Sequence, residues 1–134
     1  MLDLNSIAWQ PTRHEGIFVN ILRRDESSGD ATVLIRMQPG CGYPAHRHVG
    51  IEEVFMLQGG YRDTRGQFRA GEYIINDAGS AHAPIALDGE DCIMIAIAHG
   101  GIELLKTEGR KQEAGTRRQE PGGREQQERN TTDN

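Results

Sequence analysis

Short apolar runs separated by turn residues recur along the first two thirds of the chain. "GIFVNIL" (Gly16–Leu22) gives way to the polar "RRDESSGD", and "ATVLIRM" (Ala31–Met37) stops at Pro39-Gly40. "EVFMLQ" (Glu53–Gln58) stops at Gly59-Gly60, "GEYIIN" (Gly71–Asn76) at the stretch Asp77 to Ser80, and "CIMIAIAH" (Cys92–His99) at Gly100-Gly101. Each run has the length of a strand, is rich in Ile and Val, and is bounded by Gly, Pro, Asp or Ser. No segment before the polar C-terminal stretch combines the length and the 3.6-residue period of a helix. The pattern predicts an all-β barrel or sandwich.

Most of these runs are apolar on both faces. In "CIMIAIAH", Ile93, Ile95 and Ile97 alternate with Met94, Ala96 and Ala98. An antiparallel strand with one wet face would alternate apolar with polar residues. Both faces therefore need cover, from a second sheet or a second subunit, and a homodimer is the expectation.

The pattern ends near Lys106. From Thr107 to Asn134 the only aliphatic side chain is Ala114. Such a segment cannot bury enough apolar surface to offset its ordering entropy. The chain thus divides into a domain over 1–106 and a polar tail over 107–134 that is expected to be disordered. The tail's six basic and six acidic residues cancel, so the net charge of −5 falls on the domain. That acidic balance argues against nucleic acid as a partner. No apolar run approaches a membrane span, and the N-terminus lacks a basic region followed by an apolar stretch. Cys41 and Cys92 form no C-x-x-C pattern, which fits free thiols in a reducing compartment and hence the cytoplasm.

The candidate chemistry sits in "PGCGYPAHRHVGIEEVFMLQGG", from Pro39 to Gly60. Strand residues two apart project to the same side, so His46 and His48 present two imidazoles to one point while Arg47 points away. The turn "VGI" lets the chain re-enter, and Glu52 can join them from the next strand. His82, in "GSAHAP", is the fourth candidate. A lone His-x-His on a strand is more often a surface pair. Three imidazoles with one carboxylate are an ordinary ligand set for a divalent transition metal. Zn2+ or Fe2+ fits first, with Mn2+ and Ni2+ as alternatives. Gly40, Gly59, Gly71 and Gly79 stand at strand ends, where tight corners need positive φ or close backbone approach.

These residues carry a resemblance. Gly40, His46, His48, Glu52 and Gly59 match the first cupin motif, G-x5-H-x-H-x3-E-x6-G, without a gap. Gly71, Gly79 and His82 match the second, G-x5-P-x-G-x2-H-x3-N. That motif is broken at Asp77, where Pro is usual, and at Ala86, where Asn is usual; neither is a metal ligand in the family. From Trp9 to Leu105 the chain resembles the ChrR-type cupins, a group that includes the zinc-binding domain of an anti-sigma factor and is similar to acetylacetone-cleaving dioxygenases. The resemblance implies a double-stranded β-helix, the jelly-roll barrel, with a metal inside.

The remaining polar residues have blander readings. Glu53 neighbours Glu52, so alternation turns it away from the site. His99 reads as a strand-end histidine without a role, and His14 as a surface residue. Cys41 reads as a small buried hydrophobe. Tyr43, Tyr61 and Tyr73 read as core or rim packing, and Arg36 and Arg62 as surface charge.

A divalent metal held by three neutral His and one carboxylate keeps a net charge of about +1, with two positions free on an octahedral ion for water, dioxygen or a bidentate oxygen ligand. No residue stands out as a general base, so no catalytic residue is assigned. Three functions are consistent with this. The first is a dioxygenase-like enzyme acting on a small oxygen-rich or dicarbonyl-like substrate. The second is a non-catalytic metal-binding sensor or regulatory cupin. Direct sigma-factor inhibition is not expected of it, because two cysteines and a short lead-in cannot build a separate N-terminal zinc domain. The third is a metal-free ligand-binding or sugar-isomerising cupin, which the complete ligand set disfavours.

Overall fold

The computed structural model describes residues 1–105; the segment read as a disordered tail, 107–134, lies outside them. A short 3-10 turn, Leu4–Ser6, opens the chain. Twelve strands follow: β1 (Gln10–Pro11), β2 (Ile17–Arg24), β3 (Ala31–Met37), β4 (His46–His48), β5 (Glu52–Gln58), β6 (Gly60–Asp63), β7 (Gly66–Arg69), β8 (Tyr73–Asn76), β9 (Ala81–His82), β10 (Ile85–Ala86), β11 (Cys92–Ala98) and β12 (Ile102–Leu104). All five apolar runs became strands, and the expected all-β class holds.

The strands form one six-stranded sheet, β1-β2-β3-β11-β5-β8, and two three-stranded sheets, β10-β6-β7 and β12-β4-β9. The pairing is antiparallel throughout. Alternation decides which side chains meet inside. On β3, Val33, Ile35 and Met37 are buried while Thr32, Leu34 and Arg36 face outward. On β5, Glu52, Val54 and Met56 point inward, and Glu53 and Phe55 point out. Met94 and Ala96 of β11, Ile74 of β8, Tyr61 of β6 and Ile102 of β12 complete a core drawn from all three sheets. Burying each such aliphatic side chain stabilises the fold by roughly 1.5–3 kcal/mol.

The corners follow the glycines. Gly40, Gly59, Gly71 and Gly79 all take positive φ, at 81°, 66°, 93° and 85°. An added Cβ would be strained at each of them. A β-bulge in the β2–β3 pairing, between Ile21 and Arg23, leaves Leu22 exposed.

The outer face of the six-stranded sheet answers part of the question raised by its two-faced strands. Over one region the N-terminal segment supplies cover: Arg36 packs its guanidinium over the Trp9 ring at 5.6 Å and pairs with Asp91 at 2.7 Å. Elsewhere no other described residue covers the face. Phe55, Tyr73 and Ile75 are exposed, and Leu34, Ile95 and Ile97 are half-buried beside them. Phe55 pairs with Tyr73 on one side and Ile95 on the other, so these residues form a continuous apolar row.

Candidate metal centre

Two strand pairings assemble the cluster. β4 runs antiparallel to β9 with His46 opposite His82, and β5 runs antiparallel to β8 with Glu52 opposite Asn76. The turn before β9 is fastened to β4: the Gly79 amide donates to the His48 carbonyl at 2.7 Å, and the His48 amide to the Ser80 carbonyl at 2.8 Å. Asp77 replaces the usual proline in this turn, yet the turn closes, with the Ser80 amide donating to the Asp77 carbonyl at 3.0 Å. His46, His48, Glu52 and His82 come together inside the barrel, with one potential ligand atom from each lying within 4.8 Å of the others. The three imidazole rings sit 4.7 to 4.9 Å apart, centroid to centroid.

Hydrogen bonds at the far side of each ring fix its tautomer. His46 Nδ1 lies 2.8 Å from the Pro44 carbonyl, His48 Nδ1 3.0 Å from the Ser80 carbonyl, and His82 Nδ1 2.8 Å from Asp63 Oδ2. All three partners are acceptors, so each Nδ1 carries the hydrogen and each neutral ring turns a bare Nε2 lone pair inward. His46 Nε2 and His82 Nε2 face one another at 3.1 Å. His48 Nε2 is buried without a well-aligned hydrogen-bond partner and stands 3.2 Å from Glu52 Oε1. Lone pairs this close repel unless a proton or a cation lies between them.

Burial opposes the proton. Removal from water, aided by repulsion from His82, pushes His46 down to about 4. Desolvation likewise lowers His82, against the pull of Asp63. Burial pushes Glu52 up, but the close approach of His48, the nearby imidazoles and the hydrogen bond from the Asn76 amide outweigh it and leave the carboxyl below its usual range. At neutral pH His46 and His82 are therefore neutral beside a carboxylate, and with all three rings anchored through Nδ1 the cluster turns acceptor atoms inward. A divalent cation satisfies every one of them, so the residues present fit a metal.

The pocket beside the cluster is narrow. Its walls include Tyr43, Tyr61, Val54, Met94 and Ala96 as well as His46, Glu52 and His82, and the cavity has a volume of about 20 Å³. That is room for about one water, not for an organic molecule.

The structure also places the residues with blander readings. Glu53 is turned to the outer face, where it accepts from the Tyr73 hydroxyl at 2.8 Å and pairs with His99 at 3.0 Å. Tyr43 and Tyr61 are buried and line the cavity, whereas Tyr73 is exposed. Cys41 is half-buried and, like Cys92, a free thiol. His14 is not the surface residue expected: it is half-buried, edge-on to Tyr43, which in turn stands edge-on to His46. Sequence reasoning missed Asp63, Arg65 and Asn76. Asp63 is almost fully buried and bonds both His82 and Arg65; those bonds outweigh burial and hold its carboxyl at about 2. Asn76 donates to Glu52 Oε1 at 2.9 Å.

Comparison with known proteins gives this geometry a lineage. The ChrR cupin-like domain family matches residues 1–103. The anti-sigma-E factor ChrR of Cereibacter sphaeroides is 38% identical over 71 residues, which is 52% of this chain and 33% of that protein. The crystal structure of Rhodobacter sphaeroides SigE in complex with the anti-sigma ChrR aligns at a TM-score of 0.63 and 32% identity, over 72% of this chain and 50% of that one. The chain thus spans about a third to a half of the length of these relatives. An RmlC-like cupin of Ralstonia eutropha JMP134 aligns at 0.68 and 26% identity, covering 79% of this chain and 71% of that one. An acetylacetone dioxygenase from Acinetobacter johnsonii aligns at 0.67 over 82% of this chain and 78% of its own, but at 17% identity that likeness is one of fold. With a family match across nearly all the described residues, the chain belongs to the ChrR cupin-like domain family.

Proposed function

We propose that this chain is a metal-binding regulatory cupin, in which His46, His48, Glu52 and His82 hold one divalent transition ion. The observation that carries this reading is the set of three Nδ1-anchored imidazoles whose lone pairs converge with a carboxylate in a buried pocket. When bound, the ion would supply Lewis acidity and positive charge inside the barrel. Zn2+ and Fe2+ suit this nitrogen-rich set best.

A non-catalytic role is favoured by the cavity of about 20 Å³, which offers no space for a dicarbonyl beside the ion. The relative with the higher identity is named an anti-sigma-E factor, and the ChrR structure is of its complex with SigE, so a protein is the partner we read for this chain. The dioxygenase-like enzyme, the first reading of the sequence, becomes the second here, kept because a metal held by four side chains leaves positions open for dioxygen. Elemental analysis of purified protein, followed by an oxygen-uptake assay on small dicarbonyls with Fe2+ supplied, separates the two. One metal per chain without turnover is the expected result. Turnover would transfer the assignment to the enzyme, and a metal-free protein that takes up no added ion would overturn both.

A second copy of the chain is our reading for the bare outer face around Phe55 and Tyr73. Two such faces pack sheet against sheet at about 10 Å, and the segment after residue 106, with Ala114 as its only aliphatic residue, has nothing apolar to lay there. Sedimentation should show a dimer that Phe55→Glu converts to a monomer with its metal content intact. A monomeric wild type would refute it.

A further inference from the structure

The cluster is wired to a hairpin that no ligand motif includes. β6 and β7 meet in a tight turn with Asp63 opposite Gly66, and Arg65 stands in that turn. One guanidinium nitrogen, Arg65 Nη2, donates both to Asp63 Oδ2 at 2.8 Å and to Asn76 Oδ1 at 2.7 Å. From Asp63 the path runs to His82 Nδ1 at 2.8 Å; from Asn76 it runs to Glu52 Oε1 at 2.9 Å. Two arms from a single nitrogen therefore reach two of the four cluster members. They lie on different strands and in different sheets.

The burial along this path is graded. The Asp63 side chain is 1% exposed, whereas Arg65 is 42% exposed and rests over the Phe68 ring at 5.0 Å. Every hydrogen bond on the path has one sense. Arg65 donates to Asn76 Oδ1, which orients the amide so that Nδ2 faces Glu52. Asp63 accepts from Arg65 and from His82, which locks the His82 hydrogen on Nδ1 and leaves Nε2 bare. A carboxylate bonded to the outer nitrogen of a ligating histidine also raises the basicity of the inner one.

We propose that Asp63 and Asn76 are positioning residues for the metal, set jointly by Arg65, so that the solvent-facing tip of the β6–β7 hairpin controls how tightly the ion is held. This rests on the metal reading given above. It goes further in assigning control of the site to three residues outside the ligand set and in naming the one part of the network that a partner or solute can touch. A partner that drew the Arg65 guanidinium away would release both arms together and loosen His82 and Glu52 at once.

Full-length protein titrated with Zn2+ against a chromophoric chelator tests this. Asp63→Asn keeps an acceptor for His82 but removes the charge, and should weaken Zn2+ binding roughly 10–100-fold. Arg65→Gln, at a half-exposed position that the core does not need, should weaken it by a similar order, and Arg65→Lys should restore part of the loss. With Co2+ as the probe, both weakened variants should show an altered visible ligand-field spectrum at saturation, which a merely stabilising role would not produce. The melting temperature of the apo protein serves as the control for folding. If wild type binds Zn2+ and Arg65→Gln binds it equally well with an unchanged Co2+ spectrum, the proposal is overturned while the metal reading stands. If wild type binds neither ion, the metal reading itself fails.

Discussion

Glu52→Gln should empty the metal site, and Glu53→Gln should leave it full. The two residues are adjacent, yet one is buried in the cluster and the other lies on the outer sheet face. Glu52 is the only anion among the four converging side chains. Without its charge, three neutral imidazoles would have to hold a dication in a largely buried pocket. Desolvating that excess charge is costly, so the loss in affinity should exceed the 10–100-fold typical of an outer-sphere change. The apo protein should respond as well: its fold holds the Glu52 carboxyl below its usual range, so the ionised group adds stability at neutral pH and apo Glu52→Gln should melt below apo wild type. Glu53→Gln loses charge-assisted contacts to Tyr73 and His99 at a solvated position, where solvent screens them, so little stability and no metal should be lost. Metal content after dialysis and paired melting curves of apo and loaded protein measure all of this. Retention of metal by Glu52→Gln, or its loss from Glu53→Gln, would mean that the ligand assignment is wrong.

Alternation made that contrast legible before any coordinates. His46, His48 and Glu52 could be assigned to one face because a strand has a period of two and the "VGI" turn is short. The glycine corners were legible for a similar reason, since Gly40, Gly59, Gly71 and Gly79 sit where the apolar runs stop. Asp63 was hidden because the hairpin that carries it, "GYRDTRG", has no apolar run of its own. Its Tyr61 packs in the core, but Arg62, Thr64 and Arg65 make the stretch read as a polar loop. Nor does sequence spacing betray the contact: Asp63 meets His82 across 19 positions through the fold of the barrel. His14 was misread for a related reason. It lies between β1 and β2 in a polar stretch, and only the closure of the barrel brings it against Tyr43. Local pattern reports which face a strand residue takes; it does not report which loop is folded over that face.

Acid should weaken the empty protein and, at lower pH, release the metal from the loaded one. His46 has a folded value of about 4 against 6.5 for a free histidine. Its native state therefore binds fewer protons than the unfolded chain between those values. With stability changing as the difference in bound protons, unfolded minus native, stability rises with pH through this window. It is fully present above about 6.5 and is lost as pH falls toward 4. The single group amounts to roughly 3 kcal/mol, and His82 is shifted in the same direction. Asp63 adds a second loss at lower pH, since its carboxyl is held at about 2 against 3.8, so its contribution is present above 3.8 and fades as pH falls toward 2. In the loaded protein the same imidazoles are occupied by the ion, and protons must displace it. The competition point then moves below that of the apo protein by an amount that grows with metal affinity. A ligand bound only to the native state adds stability, so loaded protein should melt above apo protein at neutral pH and the two curves should converge in acid as the ion leaves. Apo protein at pH 7 should nonetheless keep the circular dichroism of a folded barrel, because the apolar core drawn from all three sheets extends well beyond the cluster. Melting curves and bound metal measured from pH 7.5 down to about pH 2 test each step. Metal loss without pH dependence would mean that the imidazoles are not the ligands. Unfolding on chelation at neutral pH would make the ion a structural staple, leaving no exchangeable metal for a regulatory site to read.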